Sequence, residues 1–151
     1  DLHSFPTRRS SDLKLSLTVE EVLKNTGNYP RWDFFVQYGG GAAGGIYLPK
    51  ELKTTLPGAA SIIVYNRKKT NLQKLMQKWA EFYAAENCDK CTPCREGSNR
   101  ILAIVRAPKF EAEKLEDIFN ALSESAFCPL GRGMPTPYKT LIEKVIKDGE
   151  L

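Results

Sequence analysis

All four cysteines of the chain stand where thiolates could hold a metal centre. Cys88-Asp89-Lys90-Cys91-Thr92-Pro93-Cys94 leaves two residues between neighbouring cysteines, and Cys128 follows further on, next to Pro129. Such spacing lets one loop wrap a compact centre with three thiolates on one side. Structural zinc more often draws its ligands as two separated pairs around a tetrahedron. Three ligands in a row with a remote fourth fit the corners of an iron–sulfur cubane better, so Cys88, Cys91, Cys94 and Cys128 are the expected ligands of a [4Fe–4S] cluster.

Bacterial ferredoxins use the same C-x2-C-x2-C run, with a remote Cys-Pro completing each cluster. Other chemistries stay open on spacing alone. Four cysteines could form disulfides in three ways, although nothing indicates export and the tight triplet suits two independent bridges poorly. A four-thiolate zinc site would make the chain a structural or interaction module. A redox Cys-x-x-Cys pair would need a thioredoxin-like βαβ pattern, which is missing around it. Lys90, Arg95 and Arg132 lie near the ligands in sequence. With the backbone amides of Thr92 to Gly97, close to a helix start, they would favour the more reduced state of a cluster and raise its potential. The ordinary alternative for each is a solvated surface charge.

The elements that must position these residues fall in two stretches. From Lys14 to Asn66 the pattern is mixed. Leu15, Leu17 and Val19 alternate as in a short strand. Thr18-Val19-Glu20-Glu21 is a capping box opening a helix that Gly27 stops. Trp32–Tyr38, Ile46–Leu48 and Ser61–Tyr65 read as strands, the last a buried one. From about residue 67 the spacing is helical. Thr70-Asn71-Leu72-Gln73 reads as a second capping box. It opens a helix whose Leu72, Leu75, Met76, Trp79, Phe82 and Tyr83 share one inward face. Further helices are expected over about 95–106, 111–123 and 138–147, with 127–137 irregular because of its prolines and glycines. The expected fold class is α+β: a small β-grasp-like (ubiquitin-like) domain over 14–66, then a four-helix bundle over 67–151 whose loops carry the cluster. Gly39-Gly40-Gly41-Ala42-Ala43-Gly44 matches the letter of a dinucleotide-binding fingerprint, but no helix follows to hold a pyrophosphate. Pro49 arrives instead, so a tight glycine turn is expected.

The charge balance narrows the partners. Net charge is +4 and the basic residues are interspersed with acidic ones, apart from Arg67-Lys68-Lys69, so no nucleic-acid partner is expected. No apolar run is long enough to span a bilayer, so no direct membrane insertion is expected. His3 to Leu13 reads as a translated sequencing adapter. Residues 1–13 are therefore set aside as a disordered artefact, and with them the sole histidine, His3. The authentic sequence is expected to begin near Lys14 and to continue upstream in its parent.

Phe82-Tyr83-Ala84-Ala85-Glu86-Asn87-Cys88-Asp89-Lys90-Cys91-Thr92-Pro93-Cys94-Arg95-Glu96-Gly97 resembles the iron–sulfur segment of the NADH-binding flavoprotein subunits of respiratory complex I. Related subunits occur in NAD-reducing hydrogenases and NAD-dependent formate dehydrogenases. Ser125 to Gly131 resembles that family's segment around the fourth ligand, and Gly39 to Pro49 the glycine turn of its soluble-ligand-binding β-grasp domain. The resemblance covers about residues 30–148. It implies a [4Fe–4S] cluster on Cys88, Cys91, Cys94 and Cys128, reduced by flavin mononucleotide that NADH has reduced. It also implies onward transfer to iron–sulfur subunits of a cytoplasmic complex peripheral to the inner membrane. The FMN- and NADH-binding domain lies upstream in the family, so this chain alone is expected to be inactive as an NADH dehydrogenase. A β-grasp ligand-binding module whose cluster is only structural is a further expectation compatible with the motifs. Asn87 and Asp89 replace the family's usual Ser and Gly, and Asn66-Arg67-Lys68 stands where the family tends to be acidic. With no ferredoxin-like extension after Leu151, the hydrogenases that bear one are the less expected parents.

Overall fold

A computed structural model describes residues 17–55 and 61–147. The adapter reading of 1–13 and the first half of the strand expected at Leu15–Val19 lie outside those residues. The fold class is α+β: a three-stranded antiparallel sheet with helices before and after it. Helix α1 (Val19–Asn25) opens on the expected capping box, in which the Thr18 side chain accepts from the Glu21 amide while the Glu21 carboxylate accepts from the Thr18 amide at 2.8 Å. That box prevails over strand alternation at Val19, and Thr18 keeps only an isolated bridge to Thr55.

Strand β1 (Phe34–Tyr38) lies between β2 (Gly45–Tyr47) and β3 (Ile62–Asn66). All five of its residues are buried, as in a strand covered on both faces, and its one polar member, Gln37, donates from Nε2 to the Gly44 carbonyl at 3.2 Å. Phe34 and Val36 pack with Val19, Leu23 and Leu52 beneath α1. Phe35, with Ile46 and Leu48, joins the core of the later helices instead. β3 is half-buried rather than fully buried because it is an edge strand. The glycine run is the β1–β2 turn. Gly39 and Gly40 take φ of 109° and 119°, and a Cβ on Gly44 would sit 2.6 Å from the Gly40 and Tyr38 carbonyl oxygens.

Five helices follow the sheet among the described residues, where four were expected. They are α2 (Leu72–Glu86), α3 (Thr92–Arg106), α4 (Glu116–Ser125, entered through a 3-10 turn at Ala112–Leu115), α5 (Pro129–Gly133) and α6 (Pro135–Leu141). A π-helical stretch, Ile142–Ile146, continues α6. The differences share a cause. Proline in a first turn lacks only an N–H that has no intrahelical acceptor there, and its φ is already helical. Pro93 thus lets α3 begin at Thr92 rather than near Arg95, and Pro129 and Pro135 start α5 and α6 inside the stretch expected to be irregular. Asn71, not Thr70, caps α2, its side chain accepting from the Lys74 amide at 2.8 Å. Phe82 is 44% exposed, because the neighbouring Tyr83 takes the inward position of that turn.

The last helical turns are tied to the sheet by Lys144. Its Nζ donates to the Ile46 carbonyl (3.0 Å) and pairs with Glu51 Oε1 (2.7 Å), while the Thr140 hydroxyl accepts from the Ile46 amide (2.9 Å). Burial pushes the Glu51 carboxyl up, but the Leu48 amide and Lys144 together outweigh it and hold the group below its usual range. A carboxyl lowered by folding stabilises above its unfolded pKa of about 4.3 and loses that contribution as pH falls through the folded value. Glu51→Gln is therefore expected to cost about 0.5–1 kcal/mol near neutral pH. The gap from wild type should close toward about pH 3, as read from urea midpoints across that range.

Candidate metal centre

The three clustered cysteines sit at the junction of α2 and α3. Asn87 ends α2: its Nδ2 donates to the Tyr83 and Ala84 carbonyls (2.9 and 3.2 Å) and its Oδ1 accepts from the Asp89 amide (3.0 Å). This reversal places Asp89 in the left-handed region, φ 56°, the one non-glycine residue there among those described. Arg95 Nη1 donates back to the Asp89 carbonyl at 3.3 Å, closing the loop that carries Cys88. Cys91 is the N-cap of α3 and Cys94 the third residue of its first turn, so only Cys88 lies wholly in loop. Glycine adopts the Asp89 backbone without steric cost. Asp89→Gly is thus expected to stabilise the protein by about 0.5–1 kcal/mol in urea unfolding.

The fourth cysteine reaches the same place from another helix. Cys128 is the N-cap of α5. Arg132 Nε donates to the Ala126 carbonyl at 2.7 Å, folding α5 back over the loop that precedes it. Gly131 then lies against Cys94. A Cβ there would be 3.5 Å from Cys94 Cβ, 3.6 Å from Cys94 Sγ and 2.7 Å from Ala126 Cβ. Gly97 lets α3 approach Ile118 and Leu122 of α4 in the same close-packed way, a Cβ there meeting both at 3.4 Å.

All four cysteines are free thiols. Cys91 and Cys94 are buried, Cys88 and Cys128 exposed. Burial pushes the Cys94 thiol up, and the thiolates of Cys91, Cys128 and Cys88 and the Asp89 carboxylate push it the same way. The charges of the other three cysteines are thus felt at Cys94. Among the described residues, no three His, Cys, Asp or Glu side chains close around a single ion. Cys128 is held below its usual range by the Gly131 and Leu130 amides, with Arg132 adding to the effect. These are first-turn amides of α5, with no carbonyl acceptor inside the helix.

The donor set fits an iron–sulfur cluster. Four thiolates drawn together repel one another unless positive metal charge separates them. Two arise at helix starts, where amides favour anionic sulfur. Gly131 keeps the space beside Cys94 clear of a side chain. The Tyr83 hydroxyl, in the same buried cluster as Cys91 and Cys94, has no hydrogen-bond partner among the described residues. Sequence reasoning assigned Tyr83 only to the core face of α2 and gave Gly131 no role. The signals available were a tyrosine five residues before the first ligand and a glycine three residues after the last.

Comparison with known proteins identifies the family of this region. Residues 74–149 match the family described as the NADH-ubiquinone oxidoreductase-F iron-sulfur binding region, and the chain belongs to that family. It is 36% identical over 74 residues to an NADH-quinone oxidoreductase subunit of Streptomyces coelicolor, an overlap covering 45% of this chain and 16% of the relative. With the mitochondrial NADH dehydrogenase (ubiquinone) flavoprotein 1 of Dictyostelium discoideum it shares 33% identity over 91 residues, 56% of this chain and 19% of the relative. The chain thus spans a minor part of the curated relatives it matches. Its fold recurs in the crystal structure of an NAD+-reducing [NiFe]-hydrogenase, with a TM-score of 0.74 at 23% identity, covering 87% of this chain and 25% of that one.

Proposed function

We propose that this chain is the electron-relay segment of an NADH dehydrogenase flavoprotein subunit, with a [4Fe–4S] cluster on Cys88, Cys91, Cys94 and Cys128. The cluster supplies one-electron chemistry between reduced flavin in the preceding part of the parent subunit and iron–sulfur centres of partner subunits. The observation that carries this reading is the approach of α5 to α3 at Gly131, which brings the Cys128 helix start to Cys94. The protein's own part is position, burial and tuning. Cys91 and Cys94 anchor the buried side, while Cys88 and Cys128 face the surface. Phe127 (77% exposed) and Leu130 (37%) flank Cys128 and offer an apolar landing for an exchange partner.

The three-stranded sheet with α1 across one face supports assigning residues 14–66 to a β-grasp-like unit and 67–151 to the helical, cluster-bearing unit. Among the described residues no helix is long and apolar enough to cross a membrane. Attachment through partner subunits, at the cytoplasmic side of a larger complex, is the placement we infer. Anaerobic reconstitution tests the reading. The expected product is a brown protein with about four iron and four sulfide, EPR-active on reduction. A colourless protein retaining one zinc would overturn it in favour of a structural module. A cluster that resists reduction at physiological potentials would overturn the relay.

A further inference from the structure

Tyr83 opens the last turn of α2, one turn before the Asn87 cap that leads into Cys88. Its side chain is fully buried, packed in one cluster with Cys91, Cys94 and Tyr138. A buried hydroxyl without an acceptor is costly, and native cores rarely keep one without a reason. Tyr138 is equally buried in the same cluster, yet its hydroxyl donates to the Met76 carbonyl at 3.3 Å. The two phenols therefore differ in one respect: among the described residues, nothing accepts from Tyr83.

We infer that Tyr83 is a tuning residue whose hydroxyl donates a hydrogen bond to sulfur on the buried side of the bound cluster, the side of Cys91 and Cys94, which rests on the cluster reading above. A phenol titrates at about 10 in water. The group stays protonated at neutral pH and remains a donor. A hydrogen bond to cluster sulfur strengthens as negative charge builds on it, so it favours the reduced state and raises the potential. The proton stays on the phenol oxygen throughout, and the ring neither gains nor loses an electron.

The test compares reconstituted wild type, Tyr83→Phe and Tyr138→Phe by iron and sulfide content, redox titration and ENDOR of the reduced cluster after exchange into deuterium oxide. Tyr83→Phe removes one heavy atom and keeps the ring, so the core is retained. It is expected to load as wild type does and to reduce with an equilibrium constant several-fold smaller; tenfold would be about 59 mV for one electron. It should also lose one exchangeable deuteron coupled to the cluster. Tyr138→Phe should leave the potential in place. 3-Fluorotyrosine at position 83, a stronger donor, should shift the potential upward, which decides the matter even where phenylalanine is not tolerated. A loaded Tyr83→Phe protein with unchanged potential and deuteron coupling overturns the inference while the cluster reading stands. So does a 3-fluorotyrosine protein with wild-type potential. Wild-type protein that takes up no iron and sulfide overturns both.

Discussion

Replacing Cys94 by serine is expected to remove the cluster outright, leaving less than about a tenth of wild-type iron and sulfide after anaerobic desalting. The reason lies in where the thiol sits. Cys94 is only 5% exposed, in the first turn of α3 and packed in the main core. A serine oxygen there is a poorer ligand for the soft, sulfur-rich centre, and its protonated form leaves a polar group in an apolar setting. Water cannot reach the vacated corner to replace the lost thiolate. Cys88 and Cys128 are exposed, so at either of those corners a solvent ligand can stand in. Cys88→Ser and Cys128→Ser should therefore keep an iron-depleted or weakly held cluster. The comparison is made by iron and sulfide analysis with EPR on the reduced proteins. Equal retention in all three variants would show that burial does not rank the ligands.

Gly131→Ala should be the most damaging change outside the ligands. Its added Cβ would stand 2.7 Å from Ala126 Cβ, a separation that cannot persist, and 3.5 Å from Cys94 Cβ. Neither neighbour can swing aside: Ala126 has no rotamer to change and is fully buried. α5 must move outward, loosening the 2.7 Å bond from Arg132 to the Ala126 carbonyl and carrying Cys128 away from Cys94. Overpacking of this kind typically costs about 1–3 kcal/mol. The larger effect is expected on cluster retention, with release under chelator at least about tenfold faster, equivalent to about 1.4 kcal/mol of lost holding free energy. Ala126→Gly in the same chain removes the clash partner and should recover most of the loss. A double-mutant cycle with no coupling between the two positions would contradict this account.

The elements that position the site are partly legible in the sequence, and the exceptions are instructive. The Thr18 capping box, the glycine stop at Gly27 and the helix running into Asn87 all rest on local chemistry that a short sequence window contains. Thr70 and Asn71 are harder, since both residue types can cap and only backbone placement chose Asn71. The helices over 129–141 escape sequence reading because proline and glycine act as breakers in one position and as helix starters in another. Phe82 and Tyr83 are adjacent aromatics, and which of them turns inward depends on what α3 and α6 present to α2.

The order of residues alone carried the chemistry: four thiols in a spacing suited to a cubane, the family those residues resemble, and the strong local caps. It could do so because ligand type, spacing and capping are properties of a few neighbouring residues. Tertiary packing set the helix that Cys128 begins beside Cys94. It also decided which two cysteines are buried, that Gly131 lies against Cys94, and that the Tyr83 hydroxyl is left without an acceptor among the described residues. Those facts depend on how α2, α3 and α5 pack together. Packing joins residues tens of positions apart through shape and burial, which no local pattern records.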